Sequence, residues 1–183
     1  ESIKSKASWS CFSYMEKWSL SENVHQRRFA SEGLRPKLPW AKGIRFDYKK
    51  AIMVLDNLYY DQERYVTRSV ANHLNDISKL DPSLVIGTLE KWKNEGKQKP
   101  EELDYMIHHS LRTLIKKGHV DTLDLLGFHQ NPAIVVKDMN IATPKIHIGD
   151  SLEFSFVIES LEDEDLLVDY IVTYPMANNK RST

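Results

Sequence analysis

The chain has 183 residues, a hydrophobic content of 41% and a formal net charge of −1, which are values of a packed globular protein rather than a disordered one. Its single cysteine, Cys11, excludes an internal disulfide and a cysteine-rich zinc site, so we expect a reducing, cytoplasmic location. No apolar stretch approaches the roughly 20 residues of a membrane span, and none has the pattern of a signal peptide. Because the chain begins at Glu1, we expect it to be a fragment of a longer protein.

The charge is distributed unevenly along the chain. Residues 1–130 carry 21 Lys and Arg against 17 Asp and Glu, a net +4, whereas residues 131–183 carry 4 against 9, a net −5. Residues 26–50 alone hold eight basic and two acidic side chains, a net +6. Such a segment is either a solvated basic face or a surface for phosphates, and charge alone leaves both interpretations open.

Up to about residue 128 the pattern predicts helices. Ser19 and Glu22 have the spacing of a capping box, in which each side chain binds a free backbone N–H at a helix start. Asp81 precedes Pro82, which fits a helix start because proline at the first helical position lacks only an N–H without a helical partner. The glycines predicted to end helices are Gly118 and Gly127.

The helical part matches itself at a shift of 40 residues. This is the period of HEAT-like repeats, in which pairs of helices stack into a solenoid. Because positions i, i+4 and i+8 lie near one side of a helix, the aligned polar residues form one column on each inner helix. The column either lines a shared concave surface or simply faces water. Arg28 aligns with Arg68 and His108, Glu32 with Asn72 and Arg112, and Asp76 with Lys116.

After Asn131-Pro132 the residue composition predicts β structure. The segments "AIVVKDMNI", "SLEFSFVIES" and "DLLVDYIVTY" are rich in branched and aromatic residues and are separated by turn signals. Their spacing resembles the start of an immunoglobulin-like sandwich, which normally needs about seven strands. We therefore expect a mainly α protein with a HEAT-like helical repeat domain at 1–128, followed at 131–183 by a partial immunoglobulin-like β-sandwich domain.

Three long segments carry a resemblance to a known family. "NVHQRRFASEGLRPKLPWA", "YVTRSVANHLNDISKLDPSLVIGTLEKW" and "SLRTLIKKGHVDTLDLLG" closely resemble the DNA alkylation repair family of HEAT-like DNA glycosylases, best the AlkC type. The resemblance covers roughly residues 14–175, and the family has further helices before this point. It implies excision of N-alkylated bases such as 3-methyladenine from duplex DNA in base excision repair. It further implies a monomer that works at the bacterial nucleoid without a metal or a cofactor.

The chemistry that this resemblance implies calls for negative charge at the site. Loss of a cationic alkylated base passes through a sugar with oxocarbenium character, which a carboxylate stabilises. Glu32 is the candidate carboxylate, and Asp76 is a candidate second member. Trp40, held by Pro36 and Pro39 before it, could lie against the lesion, since an aromatic face attracts a cation. Each has a structural alternative: Glu32 could pair only with Arg28, Trp40 could pack between repeats, and Asp76 could be a cap or an ion-pair partner.

The expected DNA contacts come from the basic segment and the polar columns. They are Arg27, Arg28, Arg35, Lys37, Arg68, Asn72, His108 and Arg112. The rival interpretation is a non-catalytic HEAT-like scaffold that binds DNA or protein, because most such solenoids are scaffolds. A carboxylate inside a basic surface favours the glycosylase, since a pure phosphate binder gains nothing from it. The sequence does not decide whether the base is extruded from the duplex.

Overall fold

The computed structural model describes residues 3–37, 47–129, 131–143, 145–176 and 181–182, and it divides into two compact units, Glu1–Leu125 and Leu126–Thr183. The described part of the first unit is helical. Its helices are α1 (Ile3–Ser19), α2 (Val24–Glu32), α3 (Tyr48–Leu55), α4 (Arg64–Ser78), α5 (Pro82–Glu95), α6 (Pro100–Ile115) and α7 (Val120–Leu125). None of the helices in these ranges is long and apolar enough to cross a membrane.

The helices stack in two layers. One layer consists of α2, α4 and α6 in that order, and the other contains α1 against α3 and α5 against α7. Side-chain contacts from α2 and the turn after it to α4 join residues 37, 38 and 41 positions apart, from the middle of α2 to beyond its end. Contacts from α4 to α6 join residues 35, 40 and 38 apart. A nearly constant separation means that the three helices run parallel, as in a solenoid of helix pairs.

The core follows the apolar stripe of each helix. Val66, Val70, Leu74 and Ile77 recur at helical spacing on α4, and all four are fully buried. Burial of each such side chain stabilises the fold by about 1.5–3 kcal/mol. The strong amphipathic pattern explains why the sequence predicted this helix, and why the opposite side of α4 is left for polar side chains.

Aromatic packing joins the second layer. The rings of Tyr59 and Trp92 stack with their centroids 4.4 Å apart and their planes 4° from parallel. The indole N–H of Trp92 donates to Asp56 Oδ1 at 2.7 Å, so its polar atom is satisfied although the side chain is fully buried. Trp92 therefore serves packing.

The predicted capping box at Ser19 is wrong. Ser19 ends α1 instead of starting a helix, and its hydroxyl donates to the carbonyl of Glu16 at 2.6 Å. Asn23 is the N-cap of α2, because its Oδ1 accepts from the backbone N–H of His25 at 2.9 Å. Ser19 still belongs to the helical turn before it, and a residue with helical backbone angles cannot occupy an N-cap position.

Other predicted helix ends are confirmed. Asp81 Oδ1 accepts from the backbone N–H of Leu84 at 3.1 Å, with Pro82 at the first position of α5. Gly118 and Gly127 follow α6 and α7 with φ of 64° and 86°, in the left-handed region that favours glycine.

The second unit contains β structure. The strands β1 (Ile134–Ile141) and β2 (Phe154–Ser160) form an antiparallel pair, and β3 (Tyr174–Pro175) pairs with β4 (Arg181–Ser182). The register of β1 and β2 shifts between Lys137 and Asn140, where Asp138 has a φ of 52°. Phe154 and Phe156 lie on one face with centroids 6.4 Å apart, as residues two positions apart on a strand do.

The third predicted strand is largely wrong. Residues 161–173 belong to no strand, and of the segment "DLLVDYIVTY" only its last residue, Tyr174, enters β3. A strand forms only where its backbone pairs with another strand, and branched residues alone do not supply that partner. The helical repeats followed by β structure agree with the expected fold class.

Candidate functional site

The turn after α2 brings Arg35 back over the solenoid. Gly33 caps α2, and a Cβ there would lie 3.0 Å from Met15 Cε and 3.1 Å from the Phe29 carbonyl oxygen, so glycine allows the close approach of α1 and α2. Leu34 is buried next to it. The chain therefore turns immediately after Glu32, and the side chain of Arg35 reaches α4.

Glu32 has both carboxylate oxygens occupied and is 18% exposed. Arg28 Nη2 and Ser69 Oγ donate to Oε1 at 3.3 and 2.8 Å, and Arg35 Nη1 donates to Oε2 at 2.9 Å. Ser69 belongs to α4 and is fully buried, so Glu32 joins two consecutive repeats. The sequence-based alternative, a pair with Arg28, is thus present but is only one of three contacts.

Asp76 completes an ionic cluster with Arg35. Nε and Nη2 of Arg35 donate to Asp76 Oδ2 at 2.9 and 2.7 Å, and Lys79 Nζ donates to Oδ1 at 3.1 Å. Arg35 and Asp76 are 13% and 11% exposed. We call Glu32, Arg35 and Asp76 the carboxylate cluster. It places one cation between two carboxylates, at a part-buried position between α2 and α4.

Arg35 is held in its charged form. Burial acts to lower its pKa, but hydrogen bonds to Glu32 and Asp76, together with their negative charges, outweigh burial and raise the pKa above its ordinary value. The two carboxylates thus stabilise a positive charge at this position.

His73 lies in the core next to the cluster. It is fully buried, and neither ring nitrogen has a hydrogen-bond partner in the described part of the chain. Burial and the positive charge of Arg35 lower its pKa to about 3, although Asp76 and the carbonyls of Ser31 and Leu34 act in the opposite direction. Near pH 7 the ring is therefore neutral, and the cluster gains no further positive charge from it.

A cationic pocket of about 620 Å³ opens between α2, α4 and α6. The guanidinium of Arg28 lies over the ring of Tyr65 at 4.2 Å, and that of Arg64 over the ring of Tyr105 at 4.0 Å. Each inner-helix junction thus repeats one arginine stacked on one tyrosine of the next helix. Both arginines also pair with a carboxylate, Arg28 with Glu32 at 3.3 Å and Arg64 with Glu102 at 3.4 Å. We call this the arginine pocket; its lining residues are Arg28, Arg64, Tyr65, Arg68, Asn72 and Tyr105.

Arg28 connects the arginine pocket to the carboxylate cluster. It lines the pocket, bonds Glu32, and donates from Nη1 to the carbonyl of Tyr65 at 2.6 Å. Arg68 is exposed in the same pocket and has no hydrogen-bond or ion-pair partner among the described residues. A cation without a partner beside paired ones is available for a ligand.

The remaining residues predicted to bind DNA are placed differently. Arg27 is engaged within the protein, since Nε and Nη2 donate to Asp61 at 2.5 and 3.1 Å, and the hydrogen bond with Asp61 raises its pKa. Lys37 is exposed. His108 is exposed with Nδ1 3.0 Å from the Asp104 carbonyl oxygen of its own helix. Arg112 donates to Asn72 Oδ1 at 3.1 Å, at the edge of the arginine pocket. The predicted Trp40 lies outside the described residues.

Arg64, Tyr65 and Tyr105 were not predicted from the sequence. The same 40-residue shift that aligns Arg28 with Arg68 also aligns Tyr65 with Tyr105, so the tyrosines could have been found. His109 gave no such signal, because the shift aligns it with Ser69. No group of three or more His, Cys, Asp or Glu in the described ranges is arranged to hold a metal ion.

Residues 135–183 match the family model described as the C-terminal Ig-like domain of the uncharacterised protein YhaZ. Over 167 residues the chain is 39% identical to "Uncharacterized protein YhaZ" of Bacillus subtilis (strain 168). The aligned region covers 90% of this chain and 46% of that protein. The chain therefore spans less than half the length of this relative.

A solved structure matches the fold. It is titled "Pseudomonas fluorescens alkylpurine DNA glycosylase AlkC bound to DNA containing an abasic site analog". The two structures match with a TM-score of 0.74 and a sequence identity of 35%, and the match covers 82% of this chain and 42% of that one. These matches confirm the predicted fold class, HEAT-like helices followed by an Ig-like domain. The chain is thus similar in sequence to YhaZ and in structure to a DNA-bound AlkC glycosylase.

Proposed function

We propose that this chain is part of a DNA glycosylase that excises cationic N-alkylated bases, of the 3-methyladenine type, from duplex DNA in base excision repair. It would work as a monomer in the cytoplasm, at the nucleoid, with water as the only co-reactant. Support comes from the similarity to an alkylpurine DNA glycosylase and from the site itself. The observation that carries the proposal is the carboxylate cluster joined through Arg28 to the arginine pocket.

The carboxylate cluster fits the charge that develops in the reaction. Rupture of the N-glycosidic bond leaves positive charge on the sugar, and a fixed carboxylate lowers the energy of that transition state. Glu32 and Asp76 already hold one cation, Arg35, between them. In the proposal Glu32 stabilises the developing oxocarbenium, Asp76 keeps Arg35 in place, and Trp40 contacts the lesion.

The arginine pocket fits the DNA backbone. Three guanidinium groups line it, and the carboxylate cluster lies beyond Arg28. Phosphates bound in the pocket would hold the duplex so that the damaged nucleotide reaches Glu32. Binding energy from the unreactive backbone is then used to position the reacting bond.

A second candidate function is a non-catalytic solenoid that binds DNA or protein. One observation favours it: all four carboxylate oxygens of Glu32 and Asp76 have cationic partners. In that case the cluster would be only an ionic bridge between α2 and α4.

Excision by the full-length protein separates the two candidates. Genomic DNA treated with a methylating agent is incubated with the purified protein, and free 3-methyladenine is quantified by chromatography. We expect release at a rate well above that of spontaneous depurination. DNA binding without any release of alkylated bases would support the scaffold and contradict the glycosylase.

A further inference from the structure

The side chain of Asn72 has a fixed orientation at the edge of the arginine pocket. Arg112 Nη2 lies 3.1 Å from one terminal atom of the Asn72 carboxamide. A guanidinium has only donors, so the atom that faces it must be the oxygen, Oδ1, and not the amide nitrogen. Arg112 is itself tied to α6, because its Nη1 donates to the carbonyl of His109.

The same oxygen determines the tautomer of His109. Nε2 of His109 lies 3.0 Å from Asn72 Oδ1, and an oxygen that can only accept requires a proton on that nitrogen. Burial, followed by the charges of Arg112, Arg68 and Arg64, lowers the pKa of His109. The ring is therefore neutral near pH 7, and it stacks on Tyr105 with centroids 5.2 Å apart. His109 supplies a hydrogen bond without adding charge.

Two donor groups in the pocket are consequently left without partners. With Oδ1 of Asn72 engaged twice, its amide N–H₂ is the remaining polar group, and it has no hydrogen-bond partner within the described ranges. Arg68 is the second such group, one helical turn before Asn72 on α4. Their side chains line the same pocket, so the ligand they suit is an acceptor with negative charge.

We propose that Asn72 and Arg68 together bind a phosphodiester group of the DNA backbone, and that His109 and Arg112 are positioning residues that hold the Asn72 amide as a donor. This proposal rests on the DNA binding in the proposed function, but not on catalysis. A phosphate oxygen accepts from both a guanidinium and an amide, and charge-assisted hydrogen bonds of this kind are the strong ones. Without the two positioning donors, the carboxamide could turn its oxygen toward the phosphate and oppose binding.

The test is a double-mutant cycle in the full-length protein, with the dissociation constant for an undamaged DNA duplex as the readout. His109→Phe keeps an aromatic ring against Tyr105 and keeps the charge, but it removes the donor to Asn72. We expect His109→Phe to weaken binding by about three- to tenfold, as for loss of one oriented hydrogen bond. In the Asn72→Ala background the same change should have no further effect, because the group it orients is absent.

Two further variants complete the test. His109→Gln can present an amide donor to Asn72 Oδ1 and should restore most of the affinity. His119→Phe, in the turn before α7 and outside the arginine pocket, should leave binding unchanged. Equal losses from His109→Phe with and without Asn72, or no loss at all, would overturn the positioning role, as would a full-length protein that does not bind duplex DNA. A cycle that behaves as expected in a protein without excision activity would contradict the glycosylase and leave this inference standing.

Discussion

At the scale of single residues, the two carboxylates of the cluster differ in what they contact. Glu32 contacts three side chains, those of Arg28, Arg35 and the buried Ser69, whereas the Asp76 carboxylate contacts only Arg35 and Lys79 in the described structure. Glu32 also forms an ion pair with Arg28, which lines the arginine pocket. Glu32 is therefore the better placed of the two to act on a nucleotide whose phosphates occupy the pocket.

Replacement of Glu32 by glutamine tests this role. Glu32→Gln keeps the shape but removes the negative charge, so we expect full-length protein to bind alkylated DNA as tightly as the parent or slightly more tightly. Excision should fall by about a hundredfold or more, the usual cost of losing one electrostatic stabiliser. Single-turnover release of 3-methyladenine measures the rate.

A matched control is Glu22→Gln, which removes the same charge from an exposed position just before α2. Its excision rate should stay within a few-fold of the parent rate. A similar small effect for Glu32→Gln would reduce Glu32 to an ion-pair partner of Arg28 and Arg35.

Removal of Arg68 tests its role as a phosphate ligand. Because Arg68 has no partner in the described chain, Arg68→Ala leaves no buried group unsatisfied. We expect weaker binding of damaged and undamaged duplex alike, and a slope of log K against log salt that is smaller by about one. Lys93→Ala removes one exposed cation from α5 in the other layer and should leave the slope unchanged. A loss confined to damaged DNA would mean that Arg68 contacts the lesion instead.

At the scale of helices, a buried polar contact fixes the register between α4 and α6. Asn75 Nδ2 donates to the Ser110 carbonyl at 3.0 Å and to Thr113 Oγ1 at 3.1 Å, and Thr113 donates back to Asn75 Oδ1 at 3.2 Å. Asn75 and Ser110 are buried, so these groups have no access to water. The pairing sets how far α4 can slide along α6, and with it the position of Asn72 relative to Arg112.

Asn75→Ala should destabilise the protein. The change leaves the Ser110 carbonyl and the Thr113 hydroxyl without their partner, which costs about 1–3 kcal/mol in the free energy of unfolding. Urea unfolding followed by circular dichroism measures the loss. Asn94→Ala, on the exposed side of α5, is the control and should stay within about 0.5 kcal/mol of the parent. Equal stability of the Asn75 variant would show that the contact does not hold the two helices together.

The sequence predicted those elements whose structure is determined by a local residue pattern. The apolar stripe of α4 and the 40-residue shift were local and repeated, so they predicted the stacked helices and the neighbourhood of Arg68 and Asn72. The bridge from Arg35 to Asp76 was not predicted, because Arg35 follows the end of α2, where helical spacing no longer applies. The strand expected at 165–174 failed for the related reason that strand pairing depends on a distant partner.

At the scale of the whole molecule, we propose that 1–128 and 131–183 are separate domains. The sequence changes there from helical to alternating pattern and from net positive to net negative charge. Limited proteolysis followed by mass spectrometry should give a first cleavage near residues 128–133. A first cleavage inside α4 or α6 would contradict the proposed boundary.

The stability of the molecule should depend on pH through His73. A free histidine has a pKa near 6.5, whereas burial and Arg35 lower the pKa of His73 to about 3 in the folded protein. His73 therefore binds a proton below about pH 6.5 in the unfolded chain, but only near pH 3 in the folded protein. Stability is unaffected by His73 above pH 6.5 and decreases progressively as the pH falls from there towards 3.

The expected loss is measurable by urea unfolding at several pH values. Between pH 7 and pH 5, His73 alone should lower the free energy of unfolding by about 2 kcal/mol, because each pKa unit corresponds to 1.36 kcal/mol. Other groups titrate in the same range, so the quantity to compare is the difference in the free energy of unfolding between the parent and His73→Leu. As the pH falls from 7 to 5, this difference should change in favour of the variant by about 2 kcal/mol. Asn94→Leu, at an exposed residue that does not titrate, should show the parent's pH dependence. If His73→Leu and the parent lose stability in parallel from pH 7 to pH 5, then His73 accepts a proton in the folded state. The conclusion that the His73 ring beside the carboxylate cluster is neutral would then be wrong.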